Sequence, residues 1–193
     1  MNASADNGHL LTPSEKAFLR ELAGAAVEAA VTGGPLPDAA ALAAARDLDL
    51  AGNLLQKRGA FVTLHLDGRL RGCIGYIEGV KPLVEAVIDN GRSAAVHDPR
   101  FRPVTAAELP RLELEISALT PLRPVRTPEE IELGRHGIVL AKGGARAVFL
   151  PQVAPEQGWD LHTTLGHLAL KAGLGPQGWQ EGARFEVFEA EVF

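Results

Sequence analysis

Apolar and polar positions alternate most cleanly along Leu112–Leu119. Leu112, Leu114, Ile116 and Ala118 fall on one face, Glu113, Glu115 and Ser117 on the other. A period of two over that length predicts a half-buried strand. A helical period runs instead through Phe18, Leu22, Ala25, Ala26 and Ala29. It follows Thr12-Pro13-Ser14-Glu15, a capping box with proline at the first helical position, and stops at Gly33-Gly34-Pro35. Residues 37–46 are alanine-rich and predict a second, weaker helix or an ordered linker. Phe61, Val62 and Thr63 favour a strand over 60–66, and Asp67-Gly68 is a two-residue hairpin signal. The partner strand, 69–77, carries Leu70-Arg71-Gly72-Cys73-Ile74-Gly75.

A helix is predicted over 82–96, with Gly91 weakening its interior. Proline at 99 pushes Asp98 out of the helical region. Thr105-Ala106-Ala107-Glu108 is a second capping box opening one short turn, and Thr127-Pro128-Glu129-Glu130 a third opening a short helix. Residues 137–142 and 145–153 predict a hairpin across Gly143-Gly144. A helix over 161–172 has Asp160 as N-cap and Gly173 just past its end. Residues 185–193 read as one terminal strand. Strands and helices mix without a βαβ rhythm, so the expected class is α+β, with mainly antiparallel sheet flanked by helices.

The chain has 193 residues, 46% of them hydrophobic and 22% charged. Its net charge is -5, and the sequence pI of about 5.7 argues against a broad nucleic-acid-binding face. One cysteine excludes an intramolecular disulfide and any Cys-based zinc site. It suits a reducing cytoplasm, the expected location. No apolar run is long enough to span a bilayer. Residues 1–11 are expected to be a flexible segment and 12–193 the folded domain. No metal or cofactor is expected.

The cysteine hexapeptide is the first candidate site. By strict alternation Arg71, Cys73 and Gly75 share one face. An arginine beside a thiol points to a reactive sulfur or to a cradle for an anionic group. Gly72 and Gly75 would let a ligand approach the backbone. A tight strand crossing with a buried thiol is the alternative. No base lies adjacent in sequence, so binding by Arg71 and the backbone is favoured over covalent catalysis.

His97, Asp98 and Arg100 form a second cluster. A carboxylate beside a histidine can support proton transfer. Equally, His97 can meet the negative end of a helix while Asp98 pairs with Arg100 or Arg102, and this structural reading is preferred. His136, Gln152 and Trp159 can line a polar pocket with an aromatic wall, or serve as a turn histidine and a core tryptophan. Glu113 and Glu115 read as a solvated strand face. His162 and His167 stand about 140° apart on a helix and do not make a zinc pair.

These segments resemble one family. The resemblance rests on Phe61-Val62-Thr63-Leu64, the hexapeptide at 70–75 and Asp98-Pro99-Arg100-Phe101-Arg102-Pro103-Val104. Glu115-Ile116-Ser117, Gly134-Arg135-His136-Gly137, Leu150-Pro151-Gln152-Val153 and residues 168–174 extend it. In this order, from about Thr12 to Phe193, they resemble the AMMECR domain, whose bacterial and archaeal branch is called AmmeMemoRadiSam system protein A. A second cysteine common near Lys171 in that family is replaced here by Ala169.

The resemblance implies two subdomains with an intervening cleft, both termini in the larger one, and the cysteine motif near the cleft. It also implies two partners, a Memo-like protein and a radical SAM enzyme. Two roles follow. The chain is either an enzyme or enzyme subunit, with Cys73, His97 and His136 as chemical groups and Arg71, Gly72, Gly75, Arg100, Gln152 and Trp159 binding a small anionic or modified group. Or it is a non-catalytic adaptor that presents a substrate to those partners.

Overall fold

Eight strands fall into two sheets of four in the computed structural model, which describes residues 10–193. The expectation for residues 1–9 lies outside the described chain. The chain divides into two units, one running to Leu119 and taking back Glu191–Phe193, the other Thr120–Ala190. Helices and antiparallel sheets together make the α+β class that the patterning predicts.

In the first unit, α1 (Pro13–Thr32) carries the capping box: Glu15 N–H donates to Thr12 Oγ1 and Thr12 N–H to the Glu15 carboxylate. Gly33 closes the helix at φ 76°. Helix α2 spans Ala39–Ala45, capped by Asp38. Strand β1 (Ala60–Leu66) turns at Asp67-Gly68, both at positive φ, into β2 (Arg69–Tyr76). Helix α3 (Leu83–Val96) follows, then β3 (Leu112–Leu119). The sheet order is β2-β1-β3-β8, with β8 at Ala190–Val192.

Ala60, Val62, Leu64, Ile116 and Ala118 share one sheet face and are buried with Leu22, Val27, Leu83 and Val87 of the helices. Burial of that apolar face is the main stabilising contribution of this unit. Glycines permit the close approach on which it depends. A Cβ at Gly91, on α3, would lie 3.1 Å from Ala23 O on α1. A Cβ at Gly72, on β2, would lie 2.2 Å from Ala94 O on α3. The helix is thus seated between its neighbours at two glycine contacts, and Gly91, which weakens an isolated helix, allows its close packing on α1.

In the second unit the order is β4-β7-β5-β6, built from Arg123–Val125, Arg184–Phe188, Gly137–Lys142 and Ala145–Phe149. Helix α5 (Leu161–Lys171) buries Leu165, Leu168 and Ala169 against Ile138, Leu140, Phe185 and Val187 of that sheet. Asp160 caps it, as the sequence predicts.

Several local expectations are corrected. The run read as one strand over 185–193 is two, β7 and β8, in different sheets. The break comes at Glu189, whose N–H donates to Thr120 Oγ1 and whose carbonyl accepts from Thr120 N–H. The hairpin strand read as 145–153 stops at Phe149, and a short helix α4 occupies Val153–Gln157, closed by Gly158 at φ 66°. The second capping box opens a turn as read, running on into a 3₁₀ turn, Leu109–Arg111, whereas the third yields only a 3₁₀ turn, Pro128–Glu130, in place of a short helix. In that last case Glu130 accepts from Arg126 N–H rather than capping at Thr127.

Candidate functional site

Strand β2 is an edge strand, so alternate N–H and C=O groups along it face away from β1. Cys73 presents one such pair, and both groups are satisfied by the segment after α3. Cys73 N–H donates to Asp98 Oδ2 at 2.9 Å, and Arg100 Nη2 donates to Cys73 O at 3.2 Å. The local sequence makes this possible. Proline after Asp98 ends the helix, and Asp98 Oδ1 accepts from Arg100 N–H at 3.1 Å, an Asx turn. Arg100 Nε and Nη2 then clasp the same carboxylate at 2.9 and 2.7 Å. Asp98, with a side chain only 2% exposed, takes the place of a neighbouring strand. The Arg100 guanidinium holds its carboxyl well below the usual range, and the Cys73 and Arg100 N–H groups add to this.

One residue along, the sheet bulges. Leu64 pairs with Gly72 but His65 with Leu70, leaving Arg71 as the extra residue. A bulge re-aims a side chain. Strict alternation therefore fails here, and Arg71 is not grouped with Cys73 and Gly75 as the spacing suggested. Its guanidinium turns onto the 98–108 segment. Nε and Nη2 donate to Glu108 at 2.8 and 3.2 Å, Nη1 to Arg102 O at 2.8 Å and Nη2 to Pro103 O at 3.2 Å. Glu108 also accepts from Thr105 N–H and Oγ1 at 2.7 and 2.9 Å. Its carboxyl is lowered to about 2, chiefly by Arg71. Arg71 and Arg100 thus form a double clamp that seals this segment onto the edge of the sheet.

The thiol lies on the face opposite the helices and is half-buried. Thr63, its cross-strand partner, donates from Oγ1 to Cys73 Sγ at 3.3 Å, and Thr63 in turn pairs with Glu115 on β3. Thr63 is one partner of the sulfur, and the Arg100 guanidinium lies close enough to interact with the same side chain. The two glycines have packing reasons. Gly72 admits α3, and a Cβ at Gly75 would lie 2.4 Å from the Phe61 ring, which crosses above it. His97 is exposed at the C-terminus of α3 and lines a groove of about 390 Å³ with Tyr76, Lys81 and Asp89. Tyr76 Oη is buried there without a hydrogen-bond partner, and burial pushes its pKa up.

The third cluster belongs to the second unit. His136 is 5% exposed, and its Nδ1 accepts from Glu132 N–H at 2.9 Å, which places the ring proton on Nε2. Burial lowers its pKa, so the ring is held neutral in a turn opened by Gly134 at φ 87°. Gln152 is exposed at the start of α4. Trp159 stacks on His167, with ring centroids 4.0 Å apart and planes 8° apart, and it also lies 6.1 Å from Phe149. Its ring neighbours were not foreseen from sequence.

Arg58 and Glu191 were also missed. Arg58 is fully buried, donates to Leu119 O at 2.7 Å and pairs with Glu191 at 3.3 Å. Glu191 also accepts from Leu11 N–H and pairs with Lys16. No local pattern marks either residue. No group of three potential metal ligands occurs among the described residues. No helix there is long and apolar enough to cross a membrane.

Comparison with known proteins adds three findings. The family model described as AMMECR1 matches residues 20–193. A protein of Methanosarcina acetivorans is 39% identical over 191 residues, covering 95% of this chain and 93% of that protein, and one of Methanocaldococcus jannaschii is 47% identical over 147 residues, covering 72% and 73%. The crystal structure of an uncharacterized protein from Pyrococcus horikoshii is similar, with a TM-score of 0.71 and 37% identity, covering 91% of this chain and 88% of that one.

Proposed function

We propose that this chain, which belongs to the AMMECR1 family, is the binding and presenting component of a modification system and does no chemistry through its thiol. The Memo-like protein and radical SAM enzyme implied by the resemblance are the partners in this reading. One observation carries it: Arg71 and Arg100 both direct their guanidinium donors to holding residues 98–108 on β2, Arg71 through Glu108, Arg102 O and Pro103 O, and Arg100 through Asp98 and Cys73 O. An anion at Arg71 would have to displace a bidentate Glu108, and bidentate arginine–carboxylate pairs are among the stronger polar contacts. What the clamp provides is a stiff edge and a defined face, the property required of a docking surface.

The test is co-elution of the purified chain with a Memo-like protein and a radical SAM enzyme from the same source, at about 10 μM, where a micromolar complex is largely associated. Cys73→Ser is expected to co-elute like the wild type, and Asp98→Ala to lose the complex. Absence of any complex, or its loss in Cys73→Ser alone, would overturn the reading. The enzymatic alternative is favoured by the Thr63 hydroxyl on the sulfur. It predicts a covalent adduct on Cys73 in intact-mass spectra after incubation with cell metabolites.

A further inference from the structure

In the second unit, one row of the sheet concentrates positive charge. Arg184 on β7 pairs with Ala141 on β5, which pairs with Arg146 on β6. Strand β4 ends at Val125 opposite Phe185, and Arg126, the next residue, lines the same pocket as Arg184. The row therefore runs Arg184, Ala141, Arg146, with Arg126 just past the end of β4. Adjacent strands stand about 4.8 Å apart, so the small Ala141 leaves a gap of roughly 10 Å between the Cα atoms of Arg184 and Arg146. Like charges at neighbouring cross-strand positions are destabilising. Two carboxylates lie beside them: Glu186, 3.9 Å from Arg146, and Glu130, which accepts from Arg126 N–H at 3.1 Å. The side chains of Arg126 and Arg184 make no hydrogen bond or ion pair among the described residues.

These arginines line a pocket of about 580 Å³, within the size range of small-molecule sites. Its apolar wall includes Val125, Pro128, Phe185 and Trp179. The indole Nε1 of Trp179 is buried and has no hydrogen-bond partner, an unmet donor of a kind folded proteins rarely leave.

We infer that this pocket binds a small aryl phosphate, the phosphate between the guanidiniums of Arg126, Arg184 and Arg146 and the ring against the wall that Trp179 shares. A dianion suits the site because it relieves the repulsion of the whole row, and guanidinium forks match phosphate oxygens. All of these residues lie in the second unit and none belongs to the cysteine motif, so failure here leaves the presenting role untouched.

Isothermal titration with phenyl phosphate, and in parallel with benzoate and inorganic phosphate, tests the assignment. Phenyl phosphate is expected to bind at least about tenfold more tightly than either of the others. Arg126→Gln and Arg184→Gln should each weaken it about tenfold, the loss of one charge-assisted contact. Both variants should melt at or above the wild-type temperature, because each removes a like-charge neighbour. Trp179→Phe, which keeps a ring and removes the donor, should also weaken binding. No saturable binding up to about 10 mM, a limit of roughly 3 kcal/mol, overturns the inference. So does equal binding of benzoate or inorganic phosphate, or wild-type affinity in both arginine variants.

Discussion

Replacing Gly72 by alanine puts a methyl group 2.2 Å from the Ala94 carbonyl oxygen and 3.1 Å from its carbon. Ordinary contact begins near 3.4 Å, so strand and helix must part by about 1.2 Å. Both obstructing atoms are main chain, which no rotamer change can move aside. Helix α3 cannot retreat freely either, because Gly91 holds it against Ala23 on the other side. Overpacking of this kind costs about 1–3 kcal/mol, and the rigid backbone places Gly72→Ala in the upper part, about 2–3 kcal/mol. The smaller entropy of an alanine-containing unfolded chain offsets only about 0.4–1 kcal/mol of this. Urea unfolding at 25 °C, followed by far-UV circular dichroism, measures it. The midpoint should fall while the slope stays constant. Gly24→Ala is the matched control: it lies in α1, is exposed and has nothing within 4 Å of an added Cβ. It should gain about 0.5–1 kcal/mol. A Gly72→Ala protein within about 0.5 kcal/mol of wild type would refute the packing account of this glycine and return it to a role in ligand approach.

Four further outcomes follow from the same geometry. Asp98→Ala leaves the Cys73 N–H and the Arg100 fork without their acceptor and should cost about 2–3 kcal/mol in urea unfolding. Glu191→Gln removes the charge that compensates the buried Arg58 guanidinium and should cost about 3–5 kcal/mol, more than Glu113→Gln on the exposed strand face. Glu108 has a folded pKa below its unfolded one, so its contribution is complete above about 4.3 and is lost as pH falls toward about 2; Glu108→Gln should flatten the acid limb of a stability–pH curve in that window. His136 is also depressed on folding, so stability should decline as pH falls below about 6.5, and His136→Asn, which keeps an acceptor for Glu132 N–H, should remove that decline.

Local chemistry was legible in the sequence and distant pairing was not. The Thr12 capping box, the Asp67-Gly68 turn and the Asp160 cap each involve residues a few positions apart, and each forms as read. The break at Glu189 depends on Thr120, and nothing within 185–193 announces it; its β-favouring residues suit two strands as well as one. The reading of 145–153 as one strand passed over Pro151 and Gly158, the local breakers that flank the short helix found there. At the candidate site, the hexapeptide was visible but its purpose lay elsewhere in the chain. Gly72 answers to Ala94 and Arg71 to Glu108, contacts that no periodicity reveals. The bulge at Arg71 likewise follows from pairing with β1 rather than from the residues of β2. The preferred structural reading of Asp98 and Arg100 matches the observed pair, since an Asx turn before proline is a local signal.

The central claim is that the clamped edge matters and the thiol's chemistry does not. Its most direct measurement is complementation of a strain lacking this chain, read as the mass-spectrometric profile of metabolites and modified proteins that the deletion alters. The account predicts that Cys73→Ser restores the profile and that Asp98→Ala does not. A Cys73→Ser protein that folds and melts like the wild type yet fails to restore it would contradict the account and place the sulfur in the reaction.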